Sequence, residues 1–528
     1  MRVLLANPRY PQTFWSFENV LKMIGKKILL PPLGLLTVAA LLPRDWDFIL
    51  RDLPAQDISD EDWGASDVVM ISGMVTQYSG IVELIREGKR RGKTVVVGGP
   101  LAFHIPQDML GFGADIVVAG EMEQGAHLLV EALESGRKGL VINPPRPDMK
   151  ECVPPRYDLL DLDLYEGMAV QFSRGCPFRC EFCDITLMNG RSVRTKSPQQ
   201  VLDELDILYK LGWRRGIFFV DDNFIGKPLK AKALLKRLIP WMDQRGHPFE
   251  FCTQASVNLA ADPDMLDLLV RAGFFRVFMG IETPDRETLR NAKKLQNAST
   301  DLDKACRTVN RAGLQVVAGC IIGFDNEAQG ADQRLIDFAD RNHIPELFVT
   351  LLHAGPGTEI WNRLEADGRL LSNGPDDSFG SQTGLMNFVP TRPTSQIVGE
   401  FINVYDVLYE RNAYLKRAFD HLSRMIPPPT IKSIRTPSFP EILGVIKTIL
   451  RQGVLYPSRW TFWKSLIGGM FLFPKRMHRF FAYCMALEHY YAYRETIKNR
   501  LTAKLPELQQ EIHPEGNSIE ACTGTATG

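Results

Sequence analysis

Two series of short apolar runs, each run followed by a helical stretch, constrain this 528-residue chain more than any single motif. In residues 1–130, RVLLAN, DFILRDL, DVVMISGMV, KTVVVGGP and ADIVVAGE read as strands. They alternate with the helical stretches LGLLTVAALL, YSGIVELIREGKRRG and GAHLLVEALESG. Strands built almost wholly of Val, Ile and Leu leave no polar face for water, so they belong in a parallel sheet covered by helices on both sides. The expectation is a doubly wound, flavodoxin-like parallel sheet over 1–140. Such sheets bind ligands beyond the carboxyl ends of their strands. The residues there are Ser72, Thr76 and Gln77 of SGMVTQ, Gly98 and Gly99 of GGP, and Gly120 and Glu121 of GEME. Small residues at strand ends let a backbone approach a large flat or phosphate-bearing ligand. A plain turn at Gly98–Gly99 is the competing reading, since no G-x-G-x-x-G follows a strand.

Residues 141–166 are rich in Pro, Asp and Arg and read as a surface linker. A second βα series fills 167–365, with strand-like MAVQFSRG, GIFFVDDN, FEFCTQASV, FRVFMGIET, LQVVAGCIIGF and ELFVTLLHA. Six βα units predict a partial, TIM-like (β/α)6 barrel, whose chemistry would sit at the strand C-termini. Residues 370–505 lose the strand signals and read as a mostly helical region. Between 426 and 500 there are 12 Lys and Arg against 3 Glu, interleaved with Trp460, Trp463, Phe471, Phe473, Phe480 and Phe481. Two readings stand side by side: a cap whose aromatics face the barrel, or a surface that meets a membrane or an apolar substrate. The polar tail 506–528, with an incidental Cys522, reads as disordered.

The formal net charge is zero, which does not favour a nucleic-acid partner. The apolar run 28–43 carries Pro31 and Pro32 near its start, so it reads as a loop entering a buried helix rather than a membrane span. MRVLLANPRY lacks the features of a secretory signal, and the nine cysteines are sparse and odd in number. Both point to a reducing, cytoplasmic setting, extended by the second C-terminal reading to the inner membrane face.

Three of the nine cysteines fall in SRGCPFRCEFCDI, just after the first strand of the second series: Cys176, Cys180 and Cys183. A four-cysteine zinc site needs a second pair some 15–20 residues on, and the next cysteine is Cys252. A disulfide between Cys180 and Cys183 leaves Cys176 unexplained. An iron–sulfur cluster uses all three. A 4Fe–4S cluster is normally held by four thiolates, so three leave one iron open for a substrate or cosubstrate.

Cys-x3-Cys-x2-Cys with Phe182 before the last cysteine resembles the radical S-adenosylmethionine enzymes. The resemblance implies that the open iron chelates S-adenosylmethionine, whose reductive cleavage gives a 5′-deoxyadenosyl radical. It also implies that the backbone at Phe182 meets the adenine. Asp222 of VDDN stands where the family has the last residue of a Gly-Gly-Glu, which holds the methionine amine. Gln254 and Ser256 would lie near the cosubstrate, and Glu282 near its ribose or amino group. GCIIGFDNE resembles the family's G-x-I-x-G-x-x-E through Gly319 and Gly323, with the acid one place late at Glu327.

The doubly wound domain ahead of the barrel resembles the cobalamin-binding subfamily, through PPLGLLTVAALLP, SGMVTQ, VVVGGP and VVAGEME. No D-x-H-x-x-G occurs, so His104 and His127 read as a loop and a helix-surface histidine, and residues 72–77 would face the lower side of the cobalt. The methylthiotransferases are a rival, but they carry cysteines in an N-terminal domain, and residues 1–151 have none.

These resemblances imply three cofactors, a 4Fe–4S cluster, S-adenosylmethionine and cobalamin, and a methyltransferase acting on an unactivated carbon. CEFCDI…GR…RTKSP and the aromatic–basic C-terminal region resemble the subgroup of hopanoid C-2 methylases. The implied partners are an apolar small molecule or lipid and an electron donor such as flavodoxin or ferredoxin. Two other functions stay open: a cyclase or rearrangement enzyme without methyl transfer, and a non-catalytic cobalamin or iron–sulfur sensor.

Overall fold

A computed structural model describes residues 1–371, 384–426 and 437–506. The tail from 507, including Cys522, lies outside the described residues.

The first sheet consists of β1 (Arg2–Asn7), β2 (Asp47–Asp52), β3 (Val68–Ser72), β4 (Thr94–Gly98), β5 (Ile116–Val118) and β6 (Leu140–Ile142). All pairs are parallel, in the order β2-β1-β3-β4-β5-β6. This is the flavodoxin-like order, with its reversal between β1 and β3. The central strands are buried on both faces, as their unbroken Val/Ile/Leu content requires. The edge strand β6 falls at the start of the stretch read as linker. Three residues followed by Pro144 and Pro145 are too short for a periodic signal.

The second sheet contains β7 (Gly167–Val170), then, past the small antiparallel pair β8 (Ser173–Arg174) and β9 (Arg194–Thr195), β10 (Gly216–Phe219), β11 (Glu250–Gln254), β12 (Phe274–Glu282), β13 (Gln315–Ile322) and β14 (Leu347–Leu351). Its order is β7-β10-β11-β12-β13-β14, wholly parallel and open at both ends. Helices such as Pro198–Lys210, which has Pro at N1 and a Ser197–Gln200 capping box, return the chain from one strand to the next.

An open sheet leaves unpaired backbone groups on its outer strands, and both edges are covered. At the β14 edge, the Tyr409 hydroxyl accepts from Leu347 N (3.0 Å) and donates to Leu347 O (2.8 Å). The Tyr405 hydroxyl does the same for Val349, at 3.3 and 2.8 Å. Two tyrosines four apart on the helix Thr394–Leu408 and its C-cap thus match two strand residues two apart. At the β7 edge, Gly167 N donates to Leu29 O, Glu166 N donates to Ile28 O, and the Tyr157 hydroxyl donates to Ala169 O.

Alternate residues of the barrel sheet differ in burial. Phe219, Phe251, Thr253, Val277, Met279 and Val349 are buried, whereas Phe218, Cys252, Gln254, Phe278, Phe348 and Thr350 are half-buried. One face therefore packs on helices and the other lines a trough. The loop after β1 enters this region from the first domain. Trp15 meets the rings of Phe278 and Phe348 at 5.7 and 5.4 Å, and Phe14 stacks on Tyr490 of the long helix Met477–Thr502. Among the described residues, no helix is long and apolar enough to cross a membrane.

Candidate active site

The three cysteines lie on the loop that follows β8. Gly175 starts the loop at φ +95°, and a Cβ there would stand 2.7 Å from Gly190 O. Only glycine lets the loop double back this closely, and Cys176 N donates to the same carbonyl at 3.2 Å. Burial pushes all three thiols up, and the neighbouring cysteines' charges add to the rise at Cys176 and Cys183. Lys294 opposes it at Cys180, where Gln296 Nε2 also donates to the sulfur at 3.6 Å. Phe182 is half-buried, 5.8 Å edge-on to Phe324, with Lys294 Nζ 5.8 Å from its ring centre.

The strand ends below form a second layer. Asp222 Oδ2 accepts from Gly175 N (2.8 Å) and Asn189 Nδ2 (2.9 Å), so the acid expected to hold the cosubstrate amine also pins the cysteine loop. Its neighbour Asp221, missed by sequence reasoning, is fully buried and accepts from Phe172 N and Ser173 N. Asn223 joins Ser256 (3.1 Å) to the Cys176 thiol. The Gln254 side chain takes no hydrogen bond among the described residues, and it points into the trough's half-buried row. Glu282 has φ +64° and pairs with Lys294, which carries its influence to Cys180. Gly319 gives room to the Phe278 ring, which would lie 2.5 Å from a Cβ there. Gly323 N donates to Glu327 Oε2 at 2.8 Å. The late acid of GCIIGFDNE thus closes its own loop.

Across from this loop stand the strand ends of the first sheet. A Cβ on Gly99, at φ +86°, would lie 2.6 Å from Ser72 Oγ and 3.1 Å from Gly73 O. Gly99 is therefore required by close packing, its missing side chain giving way to the Ser72 hydroxyl and the Gly73 backbone, while a Cβ on Gly98 would meet only Val118 at 3.7 Å. Thr76 is half-buried. Gln77 is buried and accepts from Met74 N while donating to Pro8 O, which fixes the loop rather than leaving its amide free for a ligand. Gly120 is exposed at φ +150°. Glu121 turns to the other domain, bonding Arg174 at 2.6 Å and Arg194 at 2.5 Å, while Glu123 takes Arg174 at 2.7 Å. His104, expected in a loop, ends a short helix with its ring buried and bonded to Asp184 at 2.9 Å. That bond ties the end of the helix to the segment that follows the cysteines, which carries Asp184.

The donor set fits the implied cofactors. Three thiols on one loop, close enough to raise one another's pKa, are the donors an iron–sulfur cluster takes, one thiolate per iron. Gly98 and Gly99 stand opposite, at the end of β4. The arginine–glutamate junction holds these two strand-end faces together, with the aromatic trough beside them.

Three family models match the chain: the B12 binding domain over residues 27–130, the radical SAM superfamily over 170–339, and a domain of unknown function (DUF4070) over 358–503. The chain is 44% identical over 508 residues to an uncharacterized methyltransferase of Synechocystis sp., covering 96% of this chain and 94% of that protein. It is 30% identical over 474 residues to the hopanoid C-2 methylase of Rhodopseudomonas palustris, covering 88% of each. The cobalamin-dependent S-adenosylmethionine radical enzyme OxsB superposes with a TM-score of 0.59 at 16% identity, over 98% of this chain and 82% of OxsB. The radical S-adenosylmethionine methyltransferase TsrM from Kitasatospora setae gives 0.59 at 16% identity, over 84% and 96%. At that identity the two structures show a shared fold.

Proposed function

The chain belongs to the cobalamin-binding radical S-adenosylmethionine methyltransferases, and from that premise we propose that it methylates an unactivated carbon of an apolar polycyclic lipid, a hopanoid at C-2. Its cofactors are a 4Fe–4S cluster, S-adenosylmethionine and cobalamin. The observation that carries the substrate choice is the 30% identity to a hopanoid C-2 methylase over 88% of the chain. A match of that length cannot be confined to the two cofactor-binding modules, so it includes part of the helical region.

When bound, the cluster and S-adenosylmethionine supply a carbon-centred radical, and cobalamin supplies the methyl group. The chain's own residues hold and orient. Cys176, Cys180 and Cys183 ligate the cluster, and Asp222, Asn189 and Asn223 hold the loop that carries them. Glu282 anchors Lys294 beside Cys180. Phe182, Gln254 and Ser256 flank the place for the cosubstrate. Ser72, Gly98 and Gly99, at the strand ends of the first sheet, would face the corrin, while Glu121, Arg174 and Arg194 set the two strand-end faces against each other. That juxtaposition matters because methyl transfer to a short-lived carbon radical requires both sources within reach of one atom. Trp15, Phe278 and Phe348 offer an apolar wall and exclude water from it.

A flavodoxin or ferredoxin is the proposed electron donor. The proposed location is cytoplasmic, at the inner membrane face where such a lipid resides. The test is expression in a bacterium that makes only unmethylated hopanoids, with mass spectrometry of the lipid extract. A gain of one methylene placed on the A ring supports the proposal. Unchanged hopanoids, from cells in which the protein carries its cluster and cobalamin, overturn the substrate choice.

A further inference from the structure

Two helices of the C-terminal region turn large apolar residues outward. Phe439–Leu450 exposes Phe439, Ile442, Leu443, Ile446 and Leu450, a single face by their spacing, and buries Gly444 and Thr448. Arg459–Leu472 exposes Trp460, Ile467, Met470, Phe471 and Leu472, while it buries Phe462 and Leu466 together with Ser465 and Gly469. The small residues have a packing reason. A Cβ on Gly444 would stand 3.1 Å from Met23 O, and one on Gly469 would stand 2.7 Å from the Phe473 ring. The large apolar residues have none within the described residues. Trp460 is 73% exposed, Phe471 82% and Leu455, between the two helices, 70%. Soluble surfaces seldom carry so many in one patch.

The charges on this face have one sign. Between 437 and 476 the only acid is Glu441, and it is spent on Arg215 at 3.0 Å and on capping Ser438. Lys447, Arg451, Arg459, Lys464 and Lys475 are all exposed. Lys447 and Arg451 also line an open groove of about 450 Å³ with Lys22, Leu450 and Leu455. Three cations thus rim an apolar notch on the patch itself, Arg451 also reaching the buried Glu488 behind it at 3.5 Å.

We infer that this face docks on an anionic bilayer: the apolar ridge enters the acyl boundary, and Lys22, Lys447 and Arg451 hold a lipid phosphate in the groove. Apolar residues alone would suit a second copy of the chain equally well. A second copy, however, would bring the same cations against these, and an anionic surface would neutralise them. The inference deepens the membrane placement proposed above and is independent of which lipid is methylated.

The test is sedimentation of the full-length holoenzyme with phosphatidylcholine vesicles, with and without phosphatidylglycerol. The expected result is binding to the anionic vesicles, weakened by salt. Combining Leu455→Ser, Trp460→Ser and Phe471→Ser should reduce it about tenfold or more, and Lys447→Glu with Arg451→Glu should remove the preference for phosphatidylglycerol. Leu229→Ser, at a lone exposed leucine of the barrel, should change nothing, and the retained cluster and cobalamin absorbance of each variant checks that it folds. Hydroxyl-radical labelling of Trp460 and Phe471 should fall only when vesicles are added. Equal binding by the triple variant, no binding by the parent, or protection before vesicles are added would each overturn the inference, the last in favour of a second copy or another part of the chain. A failure of the hopanoid assay would leave these readings unchanged.

Discussion

Asp52, at the end of β2, is a carboxylate sealed inside the first domain, only 1% exposed. Burial pushes its pKa up to about 6, against the opposing pull of hydrogen bonds from Asn7 and Tyr165. The native state therefore keeps a proton that the unfolded chain releases near its ordinary value of 3.8. Between these values folding binds the proton, so this group favours the fold below about pH 4 and ceases to do so as the pH rises through 6. The loss is on the order of 2–3 kcal/mol. Asp52→Asn keeps a neutral polar group there, and the Tyr165 hydroxyl can reverse to accept from it. The thermal midpoint of the parent should fall relative to the variant over this interval and run parallel above it; parallel curves throughout would contradict the buried proton. At this scale the sequence was uneven. The three cysteines were legible because their spacing is local. Lys294, Asp221 and the inter-domain role of Glu121 were not, because each acquires its meaning from a partner at least 12 residues away in the chain, at Glu282, Ser173 and Arg174.

Elements were legible wherever a period could repeat. The parallel strands and their helices stand where the apolar runs placed them, whereas β8 and β9 have two residues each and β6 is lost in the proline-rich stretch that starts at Pro144. Pattern also cannot say which way an amphipathic helix faces. The spacing of Phe439, Ile442, Ile446 and Leu450 reads as a core stripe, yet it points outward. The aromatics of the two competing C-terminal readings divide accordingly: Phe473 and Phe480 are buried, and Trp460 and Phe471 are exposed. The strand edge is a second case. Nothing in ELFVTLLHA shows that its free backbone groups will be met by Tyr405 and Tyr409. Each hydroxyl there satisfies one N–H and one C=O in a dry setting. Replacing either tyrosine by Phe should cost about 1–3 kcal/mol, and both together should let the C-terminal helices detach first. Limited proteolysis should then release that region intact. If the double variant resists protease like the parent, the hydroxyls are not what holds β14 to the helix.

Across the whole molecule, the decisive contact is between domains. Each strand-end face is built by its own sheet, and both sheets were legible in the apolar runs. What it could not show is how they meet, since that depends on ion pairs between residues 53 and 73 positions apart, Glu121 with Arg174 and Arg194. Glu121 sat among the expected cofactor-binding residues because it follows a strand end in GEME; its carboxylate instead bridges two arginines of the barrel. Glu121→Ala separates these roles. Neither arginine is stranded by it: Arg174 keeps Glu123 at 2.7 Å, and Arg194 keeps the carbonyls of Pro147 and Asn189. The domains should therefore fold and load normally, with cluster and cobalamin content at the parent level, but be held less firmly in register. A misplacement of about 1 Å can cost roughly a hundredfold in rate. Methylated product should fall by about tenfold to a hundredfold, while 5′-deoxyadenosine, made wholly within the barrel, should fall far less. The ratio of the two products is the measurement. A loss of cobalamin with the ratio unchanged would return Glu121 to the cofactor. A fallen ratio with both cofactors in place assigns it to the joint, where catalysis depends on two domains holding one carbon between them.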